Sequence, residues 1–237
     1  MSNNNLLHVV IPCYNPSENW EDELLNYFTH FKQKLPNHTP RLTLVVDGIS
    51  AFTQEKNLAK ISSQLPDCNI IVNPENHGKG HALRTGVQSI NEGLILFTDV
   101  DFPYQVDSML LVAAELSKGT DVVLGYREQS YYDKVPAFRK ALSKLFRWSL
   151  VNILKLKISD TQCGLKGFNS TGRDIFLSTT INRFLFDLEF VKYSSSKKDV
   201  TIQSVKVNLR DEVVFSTMNI QILLKEAFNF LWVLTKR

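Results

Sequence analysis

The first half of the chain alternates short apolar runs with longer segments in which apolar residues recur at helical spacing. The run from Leu7 to Pro12 is rich in β-branched residues, which predicts a buried strand ended by the proline. Between Ser17 and Leu35 the spacing predicts an amphipathic helix with Ser17 as its N-cap. The same criteria predict strands over 42–47, 69–73, 93–98 and 121–125, and helices over 53–65, 79–91 and 105–117. Strands separated by helix-length segments favour a largely parallel sheet with helices on both faces.

The second half departs from this alternation. Pro136 can open a helix that runs to about Lys157 with its apolar residues on one face. We expect a strand or loop over 158–169, helices over 171–178 and 186–195, a strand over 201–208 and a terminal amphipathic helix over 218–235. There is no internal repeat and no low-complexity linker. We therefore predict one domain over 1–237, with a first half of about 1–128 and a second half of about 129–237.

Composition narrows the class of protein without naming a function. The chain has 237 residues, of which 43% are hydrophobic and 22% charged, so a disordered or collagen-like protein is excluded. The net charge of +3 is too small to indicate nucleic-acid binding, and we expect no nucleic-acid partner. Three widely spaced cysteines fit neither a disulfide framework nor a zinc site. We find no signal peptide and no transmembrane helix, so the expected location is the cytoplasm.

Two aspartates separated by one residue follow a strongly apolar predicted strand. The run Leu-Ile-Leu-Phe-Thr leads directly into Asp99 and Asp101. In extended geometry alternate side chains point the same way, so both carboxylates can address one point beyond the carboxyl end of the strand. Two hard oxygen ligands suit Mg²⁺ or Mn²⁺ bound to a diphosphate. A solvated acidic turn is the alternative, because Asp-x-Asp is a common sequence.

Polar residues also follow the remaining predicted strands. Asp47 can accept hydrogen bonds from a base or a ribose, or else cap the next turn, and Tyr14 can stack on a base. Lys79 lies between two glycines near a helix N-terminus, which suits an anion but also a tight turn. Arg127 can neutralise a diphosphate, although a surface arginine would look the same. Their shared position, at the end of the sheet where open α/β proteins bind ligands, favours a single site.

Seven segments of the chain resemble the inverting family 2 glycosyltransferases. They are Val-Ile-Pro-Cys-Tyr-Asn15, Leu-Val-Val-Asp47, Asn76-His-Gly-Lys-Gly-His-Ala82, Phe-Thr-Asp99-Val-Asp101, Gly-Tyr-Arg127, Asp160-Thr-Gln-Cys-Gly-Leu-Lys166 and Phe186-Asp-Leu-Glu189. The last two are the most specific, and they are similar to the polyprenyl-phosphate hexose synthases, above all the dolichyl-phosphate glucosyltransferases, with dolichyl-phosphate mannose synthase a near relative. The resemblance covers roughly residues 6–215. It implies an α/β protein of the GT-A fold, Rossmann-like, with a C-terminal extension on the acceptor side.

The resemblance also implies a role for each matching residue. The nucleotide sugar would contact Pro12, Tyr14, Asn15, Asp47, Lys79, Asp99, Asp101 and Arg127. Asp99 and Asp101 would hold the metal cofactor, Mg²⁺ or Mn²⁺. The acceptor side would comprise Asp160, Gln162, Lys166 and Arg210. The catalytic group would comprise Asp101, Arg127, Asp187 and Glu189, the last two on a helix that closes the sugar side.

The expected reaction is transfer of a hexose from a nucleotide sugar, UDP-glucose first and GDP-mannose as an alternative, to polyprenyl phosphate with inversion. A lipid phosphate is already anionic and needs no general base, whereas repulsion from the donor diphosphate would be relieved by Arg210 and Lys166. If the acceptor is instead a saccharide hydroxyl in glycan synthesis, Asp187 or Glu189 is the candidate base. Two rival functions are pyrophosphorylase chemistry on a similar fold and non-catalytic ligand binding.

The modest net charge hides a basic segment. Residues 131–157 contain seven lysines and arginines and one aspartate, a balance of +6 that leaves −3 for the rest of the chain. This segment is also the predicted amphipathic helix, a combination that suits an anionic membrane surface. The alternative is a helix packed on the sheet with solvated lysines. The sequence thus leaves open a peripheral protein at the cytoplasmic face of a membrane.

Overall fold

The computed structural model describes residues 5–128, 160–211 and Phe230. The predicted helix over 136–157, with the basic segment, lies outside the described residues, as does all of the predicted terminal helix except Phe230. The division into two halves near residue 128 stays a prediction. The described parts of both halves nevertheless contribute strands to one sheet.

A seven-stranded sheet organises the described residues. Its strands are β1 (Leu6–Cys13), β2 (Thr39–Asp47), β3 (Asn69–Asn73), β4 (Leu94–Phe97), β5 (Val122–Tyr126), β6 (Lys166–Phe168) and β7 (Ile202–Lys206). Their order across the sheet is β3-β2-β1-β4-β6-β5-β7. Every neighbouring pair is parallel except those made by β6, which runs antiparallel to both β4 and β5. The predicted largely parallel sheet is confirmed, and the segment left open between strand and loop contains a short reversed strand.

Helices cover both faces of this sheet, as predicted. They are α1 (Trp20–Gln33), α2 (Glu55–Gln64), α3 (Lys79–Gln88), α4 (Val106–Ser117), α5 (Ser170–Leu177) and α6 (Phe186–Ser196). One apolar cluster joins the sheet to α1, α2 and α4, and a second joins it to α3, α5 and α6. The second cluster is rich in phenylalanine, with ring centroids 5.2 to 6.3 Å apart among Phe97, Phe168, Phe176, Phe186 and Phe190.

The start of α1 differs from the prediction. The helix begins at Trp20, and its N-cap is Asn19 rather than Ser17. Asn19 adopts the left-handed conformation, with φ of 61°, and makes no side-chain cap bond. Asparagine tolerates this conformation better than most residues do. Trp20 is anchored from outside the helix, because its indole N–H donates to the carbonyl of Phe52 at 2.7 Å.

Helix α3 lies close to the sheet because Gly86 faces it. A Cβ added at Gly86 would stand 2.6 Å from Cγ1 of Val10 and 3.0 Å from Cγ2 of Val45, both on strands. Two branched side chains in a close-packed core have little freedom to retreat. The close approach matters for the cleft described below, because the first residues of α3 form part of its wall.

We predict that Gly86→Ala lowers the free energy of unfolding by about 1–3 kcal/mol, the usual cost of overpacking a core. Gln88→Ala, on the exposed side of the same helix, is the matched control and should change it by less than about 0.5 kcal/mol. Urea denaturation of both variants measures the difference. Equal stability of Gly86→Ala and the wild type would show that α3 has room to move away from the sheet.

Candidate active site

A cleft of about 690 Å³ opens at the carboxyl ends of β1, β2, β4 and β5. This volume lies within the range of small-molecule sites. Eight of its lining residues are those expected on the donor side, namely Pro12, Tyr14, Asn15, Asp47, Lys79, Asp99, Asp101 and Arg127. The structure therefore brings together in one cavity residues that are up to 115 positions apart in the chain. Tyr14 is 61% exposed, so its ring is open to a ligand.

Asp47 organises one wall of the cleft. Its side chain is 1% exposed and accepts hydrogen bonds from the backbone N–H of His77 at 3.1 Å and of Gly78 at 2.7 Å. The side-chain amides of Asn73 and Asn76 also donate to it, at 3.1 and 3.0 Å. Asp47, at the end of β2, thus holds the loop that connects the neighbouring strand β3 to α3. Neither a base nor a ribose is needed to explain its burial.

The two aspartates after β4 both line the cleft, but not as an extension of the strand. β4 ends at Phe97, and the backbone turns so that the N–H of Phe102 donates to the carbonyl of Asp99 at 3.0 Å. Phe102 itself has a φ of 42°. The predicted strand end at residue 98 and the alternating geometry are therefore wrong, and a turn presents both carboxylates instead.

Lys79, the first residue of α3, forms an ion pair with Asp99. Burial opposes the charge on Lys79, but the carboxylates of Asp99, Asp187 and Asp101 together raise the pKa of its ammonium. Asp101 is exposed to the cleft, yet partial desolvation and the negative charge of Asp99 still raise the pKa of its carboxyl. Lys79 thus supplies one cation directly beside the acidic pair.

Asp160 orients Arg127. The Nε and Nη2 atoms of Arg127 donate to its two carboxylate oxygens, each at 2.8 Å, and the backbone N–H of Arg127 adds a third bond at 2.9 Å. Burial opposes both charges, but the pairing outweighs it, so the pKa of Asp160 is lowered and that of Arg127 is raised. A two-pronged pair of this kind fixes the plane of the guanidinium. Asp160 therefore lies behind a cleft residue and is absent from the lining.

The residues after Asp160 pack under the acidic pair. A Cβ added at Gly164 would stand 2.6 Å from Oδ2 of Asp99, so any other residue there would displace that carboxylate. The hydroxyl of Tyr104 accepts a hydrogen bond from the N–H of Gly164 at 2.8 Å, and the thiol of Cys163 donates to it at 3.4 Å. This segment thus forms a layer directly beneath the cleft, which we call its floor, although none of residues 160–166 is part of the lining itself.

Lys166 and Asp187 form a buried ion pair below that floor. Lys166 is fully buried, and its Nζ donates to Oδ1 of Asp187 at 2.6 Å and to the carbonyl of Cys163. Asp187 is 4% exposed, and burial raises the pKa of its carboxyl even though Lys166 opposes the shift. Neither residue lines the cleft. The sequence predicted acceptor contacts for Lys166 and a catalytic role for Asp187, whereas the structure places both residues beneath the cleft.

The carboxylate of Glu189 accepts hydrogen bonds from the loop between α5 and α6. The segment between α5 and α6 carries backbone N–H groups of Thr180 and Ile181, which donate to Oε2 of Glu189 at 2.7 and 2.8 Å. The hydroxyls of Thr180 and Tyr193 donate to its other oxygen, each at 3.0 Å. Glu189 is 1% exposed. Its contacts are those of a residue that holds a loop in place.

The two remaining acceptor candidates lie at the surface or beside the acidic pair. Gln162 is exposed and does not line the cleft. The guanidinium of Arg210 stacks on the ring of Tyr27, 4.1 Å from its centroid, and Nη2 donates to the carbonyl of Asp101 at 2.9 Å. Arg210 therefore stands next to Asp101, where a cation can influence an anion in the cleft.

Sequence reasoning missed several lining residues. Trp20 and Tyr104 line the cleft from the starts of two helical segments, and Arg183 and Phe184 reach it from the loop between α5 and α6. Trp20 and Tyr104 belong to apolar patterns that indicate only a core. Arg183 and Phe184 lie between helices, away from every strand end, so no local signal marked them.

A second group could hold a metal ion. Asp47, His77 and His81 each offer one ligand atom, and these atoms lie within 4.8 Å of one another. Burial and the neighbouring His77 lower the pKa of His81, which favours the neutral imidazole that metals bind. The group competes with Asp99 and Asp101 as a metal position. The carboxylate of Asp47 already accepts four donors, which counts against it.

Residues 8–176 match the family described as Glycosyl transferase family 2. The chain belongs to this family. It is 30% identical over 194 residues to the dolichyl-phosphate beta-glucosyltransferase ALG5A of Trichomonas vaginalis, covering 78% of this chain and 60% of the relative. A Drosophila melanogaster dolichyl-phosphate beta-glucosyltransferase is 28% identical over 207 residues, with coverages of 81% and 63%. The chain thus spans under two thirds of the length of these relatives.

Further similarities concern a bacterial relative and the fold. An undecaprenyl-phosphate 4-deoxy-4-formamido-L-arabinose transferase of Pseudomonas fluorescens is 27% identical over 72% of this chain and 48% of its own length. The mannosyl-3-phosphoglycerate synthase of Rubrobacter xylanophilus superposes with a TM-score of 0.66, at 12% identity, over 96% of this chain and 72% of that one. Glucosyl-3-phosphoglycerate synthase of Mycobacterium tuberculosis, solved with Mn²⁺ and UDP-glucose, gives 0.62 at 13% identity, over 97% and 78%. The expected GT-A fold is confirmed.

We predict that Lys166→Met lowers the free energy of unfolding by about 3–5 kcal/mol, because it leaves the buried carboxyl of Asp187 without its cation. Burial raises the pKa of Asp187, so protonation favours the folded state, and the deficit should shrink as the pH falls from about 8 to about 5. Chemical denaturation at several pH values measures both effects.

Two further variants make this test specific. Lys118→Met removes an exposed lysine paired with Glu115 and should cost less than about 1 kcal/mol at every pH. The double change of Lys166→Met with Asp187→Leu should recover part of the loss, since neither charge then remains. A loss in Lys166→Met that is small and independent of pH would contradict the buried pair.

Proposed function

We propose that this protein transfers a hexose, glucose in the first instance, from a nucleotide sugar to polyprenyl phosphate with inversion at the anomeric carbon. The observation that carries the proposal is the single cleft that combines the open ring of Tyr14, the acidic pair Asp99 and Asp101, and the oriented guanidinium of Arg127. The names of the relatives support a lipid-phosphate acceptor and a glucose donor.

We assign the donor to the side of the cleft bounded by Tyr14 and Asp47. Tyr14 offers a face for stacking on the base, and the loop held by Asp47 brings Lys79 to the diphosphate. UDP-glucose is the first candidate, supported by the Mycobacterium tuberculosis enzyme solved with it, and GDP-mannose is the alternative donor. Arg127 needs no reorientation, because Asp160 already fixes its plane, and preorganised cations are effective at developing charge.

The residues present fit a divalent cation at the acidic pair. Asp99 and Asp101 offer hard oxygen ligands, and partial desolvation together with the negative charge of Asp99 raises the pKa of Asp101, which a dication would counter. Held there, Mg²⁺ or Mn²⁺ would offset the charge on the leaving diphosphate. We prefer this position to the group of Asp47, His77 and His81, whose carboxylate is saturated by donors from the chain.

On the acceptor side we assign a direct role to Arg210 and indirect roles to the buried residues. Arg210 stands beside Asp101, where it can reduce repulsion between two anionic substrates. Lys166 and Asp187 are buried with each other as partners, and Glu189 holds a loop, so we propose that all three position the cleft. An anionic acceptor needs no general base, so Asp187 and Glu189 have no proton-transfer role in this assignment.

Membrane association is part of the proposal, because polyprenyl phosphate lies in a bilayer. Within residues 5–128 and 160–211, no helix is both long enough and apolar enough to cross a membrane. We propose peripheral binding through the basic residues between 131 and 157, which lie outside the described residues. Their charge would be attracted by anionic lipids.

The activity test incubates the protein with Mg²⁺, polyprenyl phosphate and, in separate reactions, UDP- and GDP-hexoses labelled in the sugar. We expect label in the organic extract with UDP-glucose, and a loss of at least about 100-fold in Asp101→Asn, because charge stabilisation at the leaving group is a large catalytic contribution. Lys198→Gln, an exposed substitution just beyond the end of α6, is the control and should keep full activity. Transfer only to soluble saccharides would overturn the acceptor, and an unaffected Asp101→Asn would overturn the site.

A separate measurement distinguishes the two metal positions. We predict that Asp101→Asn weakens Mn²⁺ binding in the presence of UDP by at least about tenfold, because even residues that only support a metal ligand cost that much when they are changed. His77→Ala should leave Mn²⁺ binding unchanged, because His77 is not a ligand at the acidic pair. Electron paramagnetic resonance of free Mn²⁺ gives both affinities without any turnover. The opposite ranking of the two variants would move the metal to Asp47, His77 and His81.

A further inference from the structure

The loop of residues 179–185, which joins α5 to α6, is fixed in place although it carries no regular structure. Two of its backbone N–H groups and one hydroxyl donate to Glu189, a residue of the following helix. Ile181 and Leu185 within it are 5% and 2% exposed. The loop is therefore anchored in the core at both ends.

Helix α3 holds the same loop from the opposite side. Nη1 of Arg84 donates to the carbonyl of Ile181 at 2.9 Å and to the hydroxyl of Thr179 at 3.2 Å, and Nη2 donates to the side chain of Asn182. The N–H of Gly80 donates to the carbonyl of Asn182 at 2.8 Å. A Cβ at Gly80 would stand 2.4 Å from the carbonyl oxygen of Ile181, so the contact requires glycine there.

This anchoring presents two side chains to the cleft. Arg183 and Phe184 both line it, and Phe184 is 47% exposed. The stem of Arg183 lies over Gly78, whose missing Cβ would be 3.3 Å from its Cγ. Gly78 is the residue whose N–H binds Asp47, and it directly precedes Lys79. Arg183 thus reaches the cleft above the wall that we assign to the donor.

Arg183 differs from Lys79 and Arg127, the neighbouring cations of the cleft, in having no carboxylate partner within the described part of the chain. Lys79 pairs with Asp99, and Arg127 pairs with Asp160. Among the residues that the structure describes, none forms an ion pair or a side-chain hydrogen bond with Arg183. A half-buried arginine on a fixed loop, lining a cavity, is arranged to bind an anion, and its planar guanidinium matches two phosphate oxygens.

We propose that Arg183 binds a phosphate group of a substrate in this cleft, in the first instance the diphosphate of the donor. The inference rests on the proposed function and adds a residue to it. The donor is preferred over the acceptor phosphate because the stem of Arg183 packs on the loop before α3, next to Lys79. Because the loop that carries Arg183 is already fixed, phosphate binding there does not have to order the backbone.

The test measures binding without turnover, by calorimetry with UDP, with uridine and with a short polyprenyl phosphate in detergent. We expect Arg183→Gln to bind UDP about tenfold more weakly, since a charge-assisted hydrogen bond is lost. Uridine binding should stay unchanged, because uridine has no phosphate. Arg183→Lys should recover part of the UDP affinity, and Lys198→Gln, which removes an exposed charge beyond the end of α6, should bind as the wild type does.

The outcomes separate the inference from the function on which it rests. Weaker binding of polyprenyl phosphate with unchanged UDP binding would keep Arg183 as a phosphate ligand but move it to the acceptor. Unchanged affinity for both would overturn the inference alone. An equal loss of uridine and UDP binding would also overturn it, because it would show that Arg183 shapes the loop instead of binding phosphate. A wild-type protein that binds no UDP would overturn the proposed donor itself, and the donor assignment of Arg183 with it.

Discussion

The antiparallel pairing of β6 with β4 and β5 is the constraint on which the cleft depends. Lys166 pairs with Phe97 on one side and with Leu124 on the other, near the ends of two parallel strands. One intervening strand sets those two strands about 9–10 Å apart. The acidic pair after β4 and Arg127 after β5 are thereby held on opposite sides of a gap. Because β6 runs in reverse, the chain leading into it passes beneath that gap.

The charges below the cleft all have partners from the protein, whereas two of the charges that face it are less completely matched. Asp160, Lys166 and Glu189 have partners from their own chain in buried settings, as a charge removed from water requires. Asp101 and Arg183 are less completely matched. The paired charges beneath the cavity thus fix the backbone. In the proposed site, Asp101 and Arg183 face the cavity and are available to a charged ligand.

Sequence patterns predicted the local features of the fold but not the contacts between segments that are distant in the chain. β3 has the predicted bounds of Asn69–Asn73, because an apolar run ended by polar residues is a local signal. All residues expected on the donor side line the cleft, since each lies at or beyond the carboxyl end of a strand of the mostly parallel sheet. The reversed β6, the pairing of Lys166 with Asp187 and the place of Arg183 depend on packing between segments far apart in the chain. No spacing along the sequence encodes them.

The start of α6 links the floor of the cleft to its rim. Asp187 and Glu189 are two residues apart, so they project about 200° apart around the helix. Asp187 turns towards Lys166 under the cleft, and Glu189 turns towards the loop that carries Arg183. One helical turn therefore fixes two elements that approach the cavity from different directions. In the proposed site these two acidic residues act without touching a ligand, because a misplaced floor or loop would move the charges to which we assign ligand contacts.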